Sequence, residues 1–336
     1  MNLTFIQLSL VNFYGSPFLN SRISNIQIQG CVLSRFYNSF IRSDSYNPSK
    51  SLLVSKTTFS LFLFSPIYIK QNENSPFRNK EFTIPQNISM YENSFQILNC
   101  KFHLCKNPSG KGGGIFYLSS PSSNRERLFI QESSFISCSA ACGGCFYLTG
   151  ISLNMDSTCA MSNFANTCPI FYCDSDDLSH NNNLEIKSSI KCNNSHFDLC
   201  TNIFTPSEST SLFCNSESTK FCFNNISRCN VRGNSCSGCF SANYELKYSM
   251  NVNSNCTGSN YLTFSSKSHD QIETSIFYFC HSFNELKLTA AFLFSGKIVI
   301  RDFCFLKTQL NLFARHIRLE NGDNDDLSTK IIFMNC

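Results

Sequence analysis

The residues best equipped for chemistry in this chain are its 20 cysteines. Two Cys-x-x-Cys pairs stand out, Cys142-Gly-Gly-Cys145 and Cys236-Ser-Gly-Cys239. This spacing serves a redox dithiol or half of a zinc site. A redox dithiol should open a helix, yet Cys145 runs into Phe-Tyr-Leu, which reads as strand. Zinc would need both pairs close in space, and a long stretch separates them. Cys138, Cys142 and Cys145 with a distant histidine are the remaining metal arrangement. The expectation is that these pairs belong to Gly-containing turns and that the chain holds no cofactor. His103 and His281 flank cysteines, and strand alternation turns both outward.

Two acidic clusters, Asp174-Ser-Asp176-Asp177 and Asp323-Asn-Asp325-Asp326, could supply the grouped carboxylates of a glycan-cleaving site or a loose Ca²⁺ site. Neither is accompanied by a Gly-His-Gly or Arg-x-Lys element, and acidic runs between strands usually form solvated turns. Gly110-Lys-Gly-Gly-Gly114 lacks the spacing and the Ser/Thr of a phosphate loop. Asn2, Asn87, Asn193, Asn225 and Asn255 lie in glycosylation sequons, which suits a secreted or surface protein. The cysteine count suits an oxidising compartment as well. A net charge of +4 without a Lys/Arg stripe gives no footprint for nucleic acid.

The elements that hold these residues come from a repeat. Phe-x-x-Cys recurs at Phe102–Cys105, Phe135–Cys138, Phe197–Cys200, Phe277–Cys280 and Phe333–Cys336. Ile-x-x-Cys recurs at Ile28–Cys31, Ile97–Cys100 and Ile226–Cys229. Cys168, Cys256 and Cys304 fill the slot more loosely, giving a ladder of Cys105, Cys138, Cys168, Cys200, Cys229, Cys256, Cys280, Cys304 and Cys336 with gaps of 24 to 33 residues. Each ladder cysteine is followed by a polar or glycine turn and an apolar cluster. The clearest copies are Gly113-Gly114-Ile115-Phe116-Tyr117-Leu118 and Gly143-Gly144-Cys145-Phe146-Tyr147-Leu148, with Gly238-Cys239-Phe240 a weaker one. An alternating stretch, such as Leu128-Phe129-Ile130-Gln131, precedes the next tetrad. Period-two alternation marks a strand with one buried face.

Three short strands per unit of about 24–33 residues predict an all-β, right-handed parallel β-helix. The 34 Phe, 12 Tyr and absent Trp agree with such a β-rich chain. Phe and Cys three apart cannot both point inward from a straight strand. The Phe is therefore expected within the strand and the Cys just past a bend. The Gly pair is expected to supply a positive-φ turn and close approach between coils. Ladder cysteines are expected as buried thiols, and Cys159, Cys173, Cys192 and Cys214, read as loop residues, as the better disulfide candidates. Residues 91–336 form the regular solenoid. Residues 1–90 are read as irregular coils with an Asn/Ser/Pro-rich loop between Gln71 and Asn87, continuous with it; there Phe62 takes the Cys slot.

The pairing of Phe-x-x-Cys with Gly-Gly-[Gly/Cys]-[Ile/Phe] resembles the repeats of polymorphic outer membrane proteins and of related surface proteins in trichomonad parasites. The likeness is best over Phe95–Leu148. The family repeat is Gly-Gly-Ala-Ile followed by Phe-x-x-Asn; here Cys replaces most of the Asn, Ala is missing, and the expectation for these 336 residues is neither a membrane barrel nor an anchor. The resemblance implies a parallel β-helix displayed at a surface in adhesion or immune-variable roles, with structural rather than catalytic motif residues. The N-terminal stretch lacks a basic region and a long apolar run, so it does not read as a signal peptide. The most apolar stretches, Phe59–Ile69 and Leu288–Ile300, are shorter than a membrane span and interrupted by Pro66 and Lys297. The expected role is non-enzymatic binding or adhesion at the cell surface, toward a host or cell-surface protein or glycan. A β-helix polysaccharide lyase or hydrolase, and a structural fragment without activity of its own, are the alternatives.

Overall fold

Alternating apolar and polar residues give Leu128-Phe129-Ile130-Gln131 one face for the core and one for solvent, and the computed structural model arranges such segments as stacked parallel strands. It describes residues 2–16, 18–19, 25–46, 51–71, 94–118, 127–174, 189–201, 210–231, 235–252, 255–256, 260–273, 276–278, 281–282, 290–301, 304–306, 309–310, 315–319 and 331–334. Described strands assemble into a 19-stranded sheet, an 11-stranded sheet and two shorter sheets of three and four strands. All their pairings are parallel, and each strand pairs with its counterpart one coil away. The chain is a parallel β-helix.

Each coil passes over three faces. The long face belongs to the 19-stranded sheet and is built from two strands laid end to end. In the middle coils a turn or loop separates them, as between Phe146–Thr149 and Ser152–Asp156. Further along they fuse into single strands such as Thr210–Cys222 and Ser235–Lys247. The second face is the short strand of the tetrad, such as Ser134–Ile136. The third face, Lys106–Lys111, Ser139–Cys142 and Phe164–Thr167, is a strand where a plain polar turn was expected. Residues 1–90 contribute to the same sheets: Asn25–Gln29 pairs with Ser51–Ser55, which pairs with Phe95–Leu98. The Asn/Ser/Pro-rich loop, with Asn87, lies outside the described residues.

Two bends bound the short face, each made by one residue in the left-handed region, always five positions apart. Asn99 and Leu104, Glu132 and Ser137, Ser157 and Ser162, and Asn194 and Leu199 are such pairs, with φ between 47° and 55°. An L-residue resists this conformation, so something must favour it at every coil. The residue that follows turns inward: where it is polar it hydrogen-bonds the backbone that the bend leaves open, and where it is phenylalanine, as at Phe36 and Phe62, it packs in the core instead. After the first bend, Thr57, Ser133 and Ser195 donate to the carbonyl two residues back at 2.8–2.9 Å. Their hydroxyls or those of the next coil accept from backbone N–H groups, as Ser133 Oγ does from Cys100 N at 3.1 Å. After the second bend the residues are Phe62, Cys105, Cys138, Asn163, Cys200 and Cys229, all buried.

Between the bends one inward column runs through Leu33, Phe59, Phe102, Phe135, Ala160, Phe197 and Ile226, and the backbone register continues it through Asn251, Phe277 and Phe305. Phe59, Phe102 and Phe135 stack with centroids 4.7–4.9 Å apart. Phe146 packs edge-on against Phe135 from the long face. Burying each such ring is worth about 1.5–3 kcal/mol. Repeated at Phe59, Phe102, Phe135 and Phe197, this burial and that of the neighbours on the long face form the main stabilising term.

Several ladder positions are corrected by this register. In the coil after Cys138 the second-bend slot holds Asn163 and the Phe slot holds Ala160, whereas Cys168 sits one strand later, at the turn leaving the third face. Cys31 and Cys100 follow the first bend, so Ile-x-x-Cys merges two different positions. Cys256 pairs with Val231 on the third face, and Cys304 opens a short-face strand beside Ile276. Phe333 pairs with Ile300 on the long face. These residues satisfy the spacing because coil length itself varies, on the short face from 23 residues between Leu10 and Leu33 to 43 between Phe59 and Phe102. Cys280 and Cys336 lie outside the described residues.

Candidate functional site

The second-bend cysteines use their thiols as the bend requires. Cys105 donates to the Phe59 carbonyl at 3.6 Å, Cys138 to Phe102 at 3.5 Å, Cys200 to Ala160 at 3.8 Å and Cys229 to Phe197 at 3.8 Å. Each also reaches the carbonyl two residues back. Burial drives the Cys105 and Cys145 thiols well up from their ordinary value, and Cys100 up to about 11. Such thiols are poor nucleophiles. Cys200 is buried too, but hydrogen bonds with Cys229 and Asn163 draw it down. Its side chain has no exposed surface from which to react.

Cys159, Cys173, Cys192 and Cys214 are corrected from loop residues to strand residues. Cys159 opens a short-face strand, and the other three are fully buried on the long face. Cys173 and Cys214 are register partners in adjacent coils. All four are carried as thiols.

The expected turn glycines divide by role. Gly143 takes φ 71°, and a Cβ there would lie 2.3 Å from the Phe146 carbonyl oxygen. Gly113, Gly114 and Gly144 have ordinary φ and serve close approach: a Cβ at Gly144 would lie 2.2 Å from the Pro169 oxygen of the next coil, and one at Gly113 2.1 Å from the Gly144 oxygen. Gly238 is corrected: it lies inside the strand Ser235–Lys247, paired with Phe213, rather than at this turn.

The Gly turn gathers the most reactive group of side chains. Lys111, Cys142 and Thr167 are register partners at the end of the third face. The next residues, Gly112, Gly143 and Cys168, are equivalent, since Gly113 N donates to the Gly143 carbonyl and Gly144 N to the Cys168 carbonyl. Cys168 therefore puts a side chain, at φ 53°, where the two preceding coils have glycine. Its thiol hydrogen-bonds the half-buried Cys142. That bond, the Thr167 hydroxyl and the Lys111 ammonium together outweigh burial and hold Cys142 below the ordinary thiol value. Lys111 Nζ also donates to Tyr147 Oη at 2.8 Å and lies 4.3 Å from that ring's centre.

The cysteine pair Cys142–Cys145 is thus split: Cys142 ends the third face and pairs its sulfur with Cys168, while Cys145 is fully buried. The side chains of Cys236 and Cys239 fall outside the described residues. Lys111 and Thr167 escaped the sequence reading, although a signal was present. Counting back five from the second residue of each strand, Phe116, Tyr147 and Tyr172, reaches Lys111, Cys142 and Thr167.

Tyr147 belongs to a ring ladder on the outer side of the long face. Tyr68, Phe116, Tyr147, Tyr172 and Phe213 stack in consecutive coils with planes within 12°. Their faces are occupied by one another, so the ladder is a structural spine rather than a platform for a sugar ring. Asp174, the described member of its acidic cluster, accepts from Tyr172 Oη at 3.2 Å and Asn215 Nδ2 at 3.0 Å. Asp176, Asp177, Asp323, Asp325 and Asp326 lie outside the described residues. Among the described residues no group of three or more His, Cys, Asp or Glu side chains converges as a metal site.

His103 is exposed on the short face, and the side chain of His281 is outside the described set. Of the sequon residues, Asn193 ends a long-face strand and Asn225 begins a short-face one, both half-buried. Asn2 and Asn255 lie in strands. Among the described residues no helix is long and apolar enough to cross a membrane.

Exposed large apolar side chains concentrate on the first three coils. Val11, Tyr14, Val32, Tyr37, Leu61, Leu63 and Phe64 lie along the outer short face and its second bend. Tyr14 is 75% exposed and stacks on Tyr37, 4.7 Å between centres and 8° between planes. Tyr37 N donates to Phe13 O and Leu63 N to Phe36 O, so Tyr14, Tyr37 and Leu63 occupy one position in successive coils. The strip is a vertical column with flanking apolar neighbours. No known protein family, curated protein or solved structure matches this chain.

Proposed function

We propose that this chain is a surface-displayed, non-enzymatic β-helix that binds a protein partner through the lateral strip of its first three coils. The observation that carries this reading is the column Tyr14–Tyr37–Leu63 with Leu61 and Phe64 next to it in the chain, all exposed. Contiguous exposed apolar side chains are the ordinary mark of an interaction site. The mixture favours protein over glycan. Sugars stack on aromatic faces but gain little from Leu and Val, whereas tyrosine beside arginine, here Arg35, is typical of protein hot spots. The likeness of the repeat to surface-protein repeats, and the sequons, support display outside the cell.

The test measures binding of the labelled full chain to intact cells before and after protease or glycosidase treatment, beside a Tyr14→Ser/Tyr37→Ser/Leu63→Ser variant. Protease-sensitive binding that the variant loses is the expected result. Glycosidase-sensitive binding, or equal binding by the variant, would overturn it. A wild-type dimer that the variant loses would reassign the strip to self-association. Surface labelling that finds the protein only in the cytosol of its own cell would overturn the display.

A further inference from the structure

We propose that Cys142 and Cys168 form a thiol–disulfide exchange site for small disulfides, which closes a covalent bridge between two adjacent coils. The site stands on geometry. Cys142 is register partner to Thr167, the residue before Cys168, so the two cysteines are diagonal neighbours across one inter-coil step. A diagonal step at a turn gives Cα atoms about 5–6 Å apart, within the disulfide range. It also avoids the unfavourable torsion of side chains stacked in register. Cys168 occupies the slot that Gly112 and Gly143 fill in the coils before it, at a positive φ that a side chain resists.

The roles of the two thiols follow from exposure and charge. Cys142 is half-buried and reachable, and Lys111 and Thr167 favour its thiolate. Cys168 is 5% exposed, so reagents meet it after Cys142. The titratable groups around Cys142 are Cys168, Lys111, Tyr147 and Tyr172.

The Cys142 thiolate attacks one sulfur of a disulfide RSSR. A Cys142–S–S–R bond forms, the R–S–S–R bond breaks, and RS⁻ departs. Cys168 then loses its proton and attacks the Cys142 sulfur, forming Cys142–Cys168 and releasing a second RS⁻. The two protein thiols lose two electrons and two protons, and the small disulfide gains them as two thiols. The bridge ties the coil carrying Cys142 to the one carrying Cys168 next to the Gly turn. The column cysteines are excluded from this chemistry by their burial against backbone carbonyls.

The test incubates the reduced full chain with glutathione disulfide, alkylates the remaining thiols at intervals, and maps the linkages by mass spectrometry. The expected first product is a Cys142–Cys168 linkage. Cys168→Ser should stop at glutathione on Cys142, and Cys142→Ser should give neither product. A different linkage formed first, or an unchanged adduct pattern in Cys142→Ser, would overturn the proposal. A second measurement needs no cysteine variant. Iodoacetamide should label Cys142 about tenfold faster than Cys105 at neutral pH, as a stabilised thiolate requires. Lys111→Met should slow that labelling and move its pH midpoint upward. Equal rates at the two cysteines, or a pH profile untouched by Lys111→Met, would overturn the site.

Discussion

Asn163 and Cys138 occupy the same second-bend slot in adjacent coils, and the Asn163 side chain clamps the coil before it. Its Oδ1 accepts from Cys138 N at 2.8 Å, and its Nδ2 donates to Phe135 O at 2.9 Å. Asn224 does the same after a first bend, toward Ser195 N and Cys192 O. Cys, Ser, Thr and Asn are thus alternative inward polar groups that satisfy backbone at a left-handed bend, a slot that Phe36 and Phe62 fill by packing instead.

Replacing Asn163 by Ala should therefore be costly, because it strands a buried N–H and a buried carbonyl. A loss of about 2–4 kcal/mol is expected from the penalty for each unpaired group. Asn163→Cys keeps a donor toward the Phe135 carbonyl, as Cys138 does toward Phe102, and should lose about half as much. Urea melts of the two variants check the order, and equal losses would contradict the bend mechanism.

Phe135 and His103 test the orientation of the short face. Phe135 is fully buried between Phe102 and the edge of Phe146, while His103 is exposed. Phe135→Ala should cost about 3–5 kcal/mol by opening a cavity. His103→Ala should stay within about 0.5 kcal/mol. Comparable losses in thermal or urea melts would mean that the strand is turned over.

The fold was legible because Phe59, Phe102 and Phe135 repeat a type whose burial the stack demands, and Gly143-Gly144 marks a turn that in its own coil has no room for a Cβ. The register was less legible. Asn163 and Cys168 both meet the loose spacing, and only hydrogen bonding across coils separates them. Extra residues fall in sequence between the two halves of the long face and change coil length without changing the five-residue interval from Glu132 to Ser137. Counting from bend to bend would have found the columns; counting from cysteine to cysteine mixed four positions, those of Cys138, Cys168, Cys256 and Cys304. Cys142 and Cys168 met as a pair only in the structure, because their contact is diagonal rather than in register.

Gly144→Ala should be among the most damaging single-methyl changes. The added Cβ would meet a backbone oxygen of the next coil at 2.2 Å, and that oxygen belongs to a tight turn with Pro169. No flexible side chain can give way, so two coils must separate locally. A cost of about 3 kcal/mol or more is expected, at the upper end for overpacking. Limited proteolysis should then cut near residues 143–170 first. Gly15→Ala, whose Cβ would meet only the end of the Phe13 ring at 3.9 Å, is the control and should melt like the wild type.

Acid should weaken the coil that contains Asp198 in a way one substitution can expose. Asp198 is 3% exposed, and burial alone would raise its carboxyl. Arg228 and Ser227 hydrogen-bond its oxygens, and the charges of Arg228 and His196 add to them, so it is held below the ordinary value of about 4. A depressed carboxyl stabilises the fold fully above its unfolded pKa, and that contribution disappears as pH falls through the folded value. Glu245, paired with Lys220 and Lys247, is depressed too and acts with the same sign. The two are separated by difference. The gap in stability between wild type and Asp198→Asn should be widest near pH 7, begin to close below about pH 4, and keep closing toward pH 2. Added salt should narrow it at pH 7, because Arg228 is largely exposed. A gap that stays constant with pH would show that Asp198 holds the coil by shape and hydrogen bonding rather than by its charge.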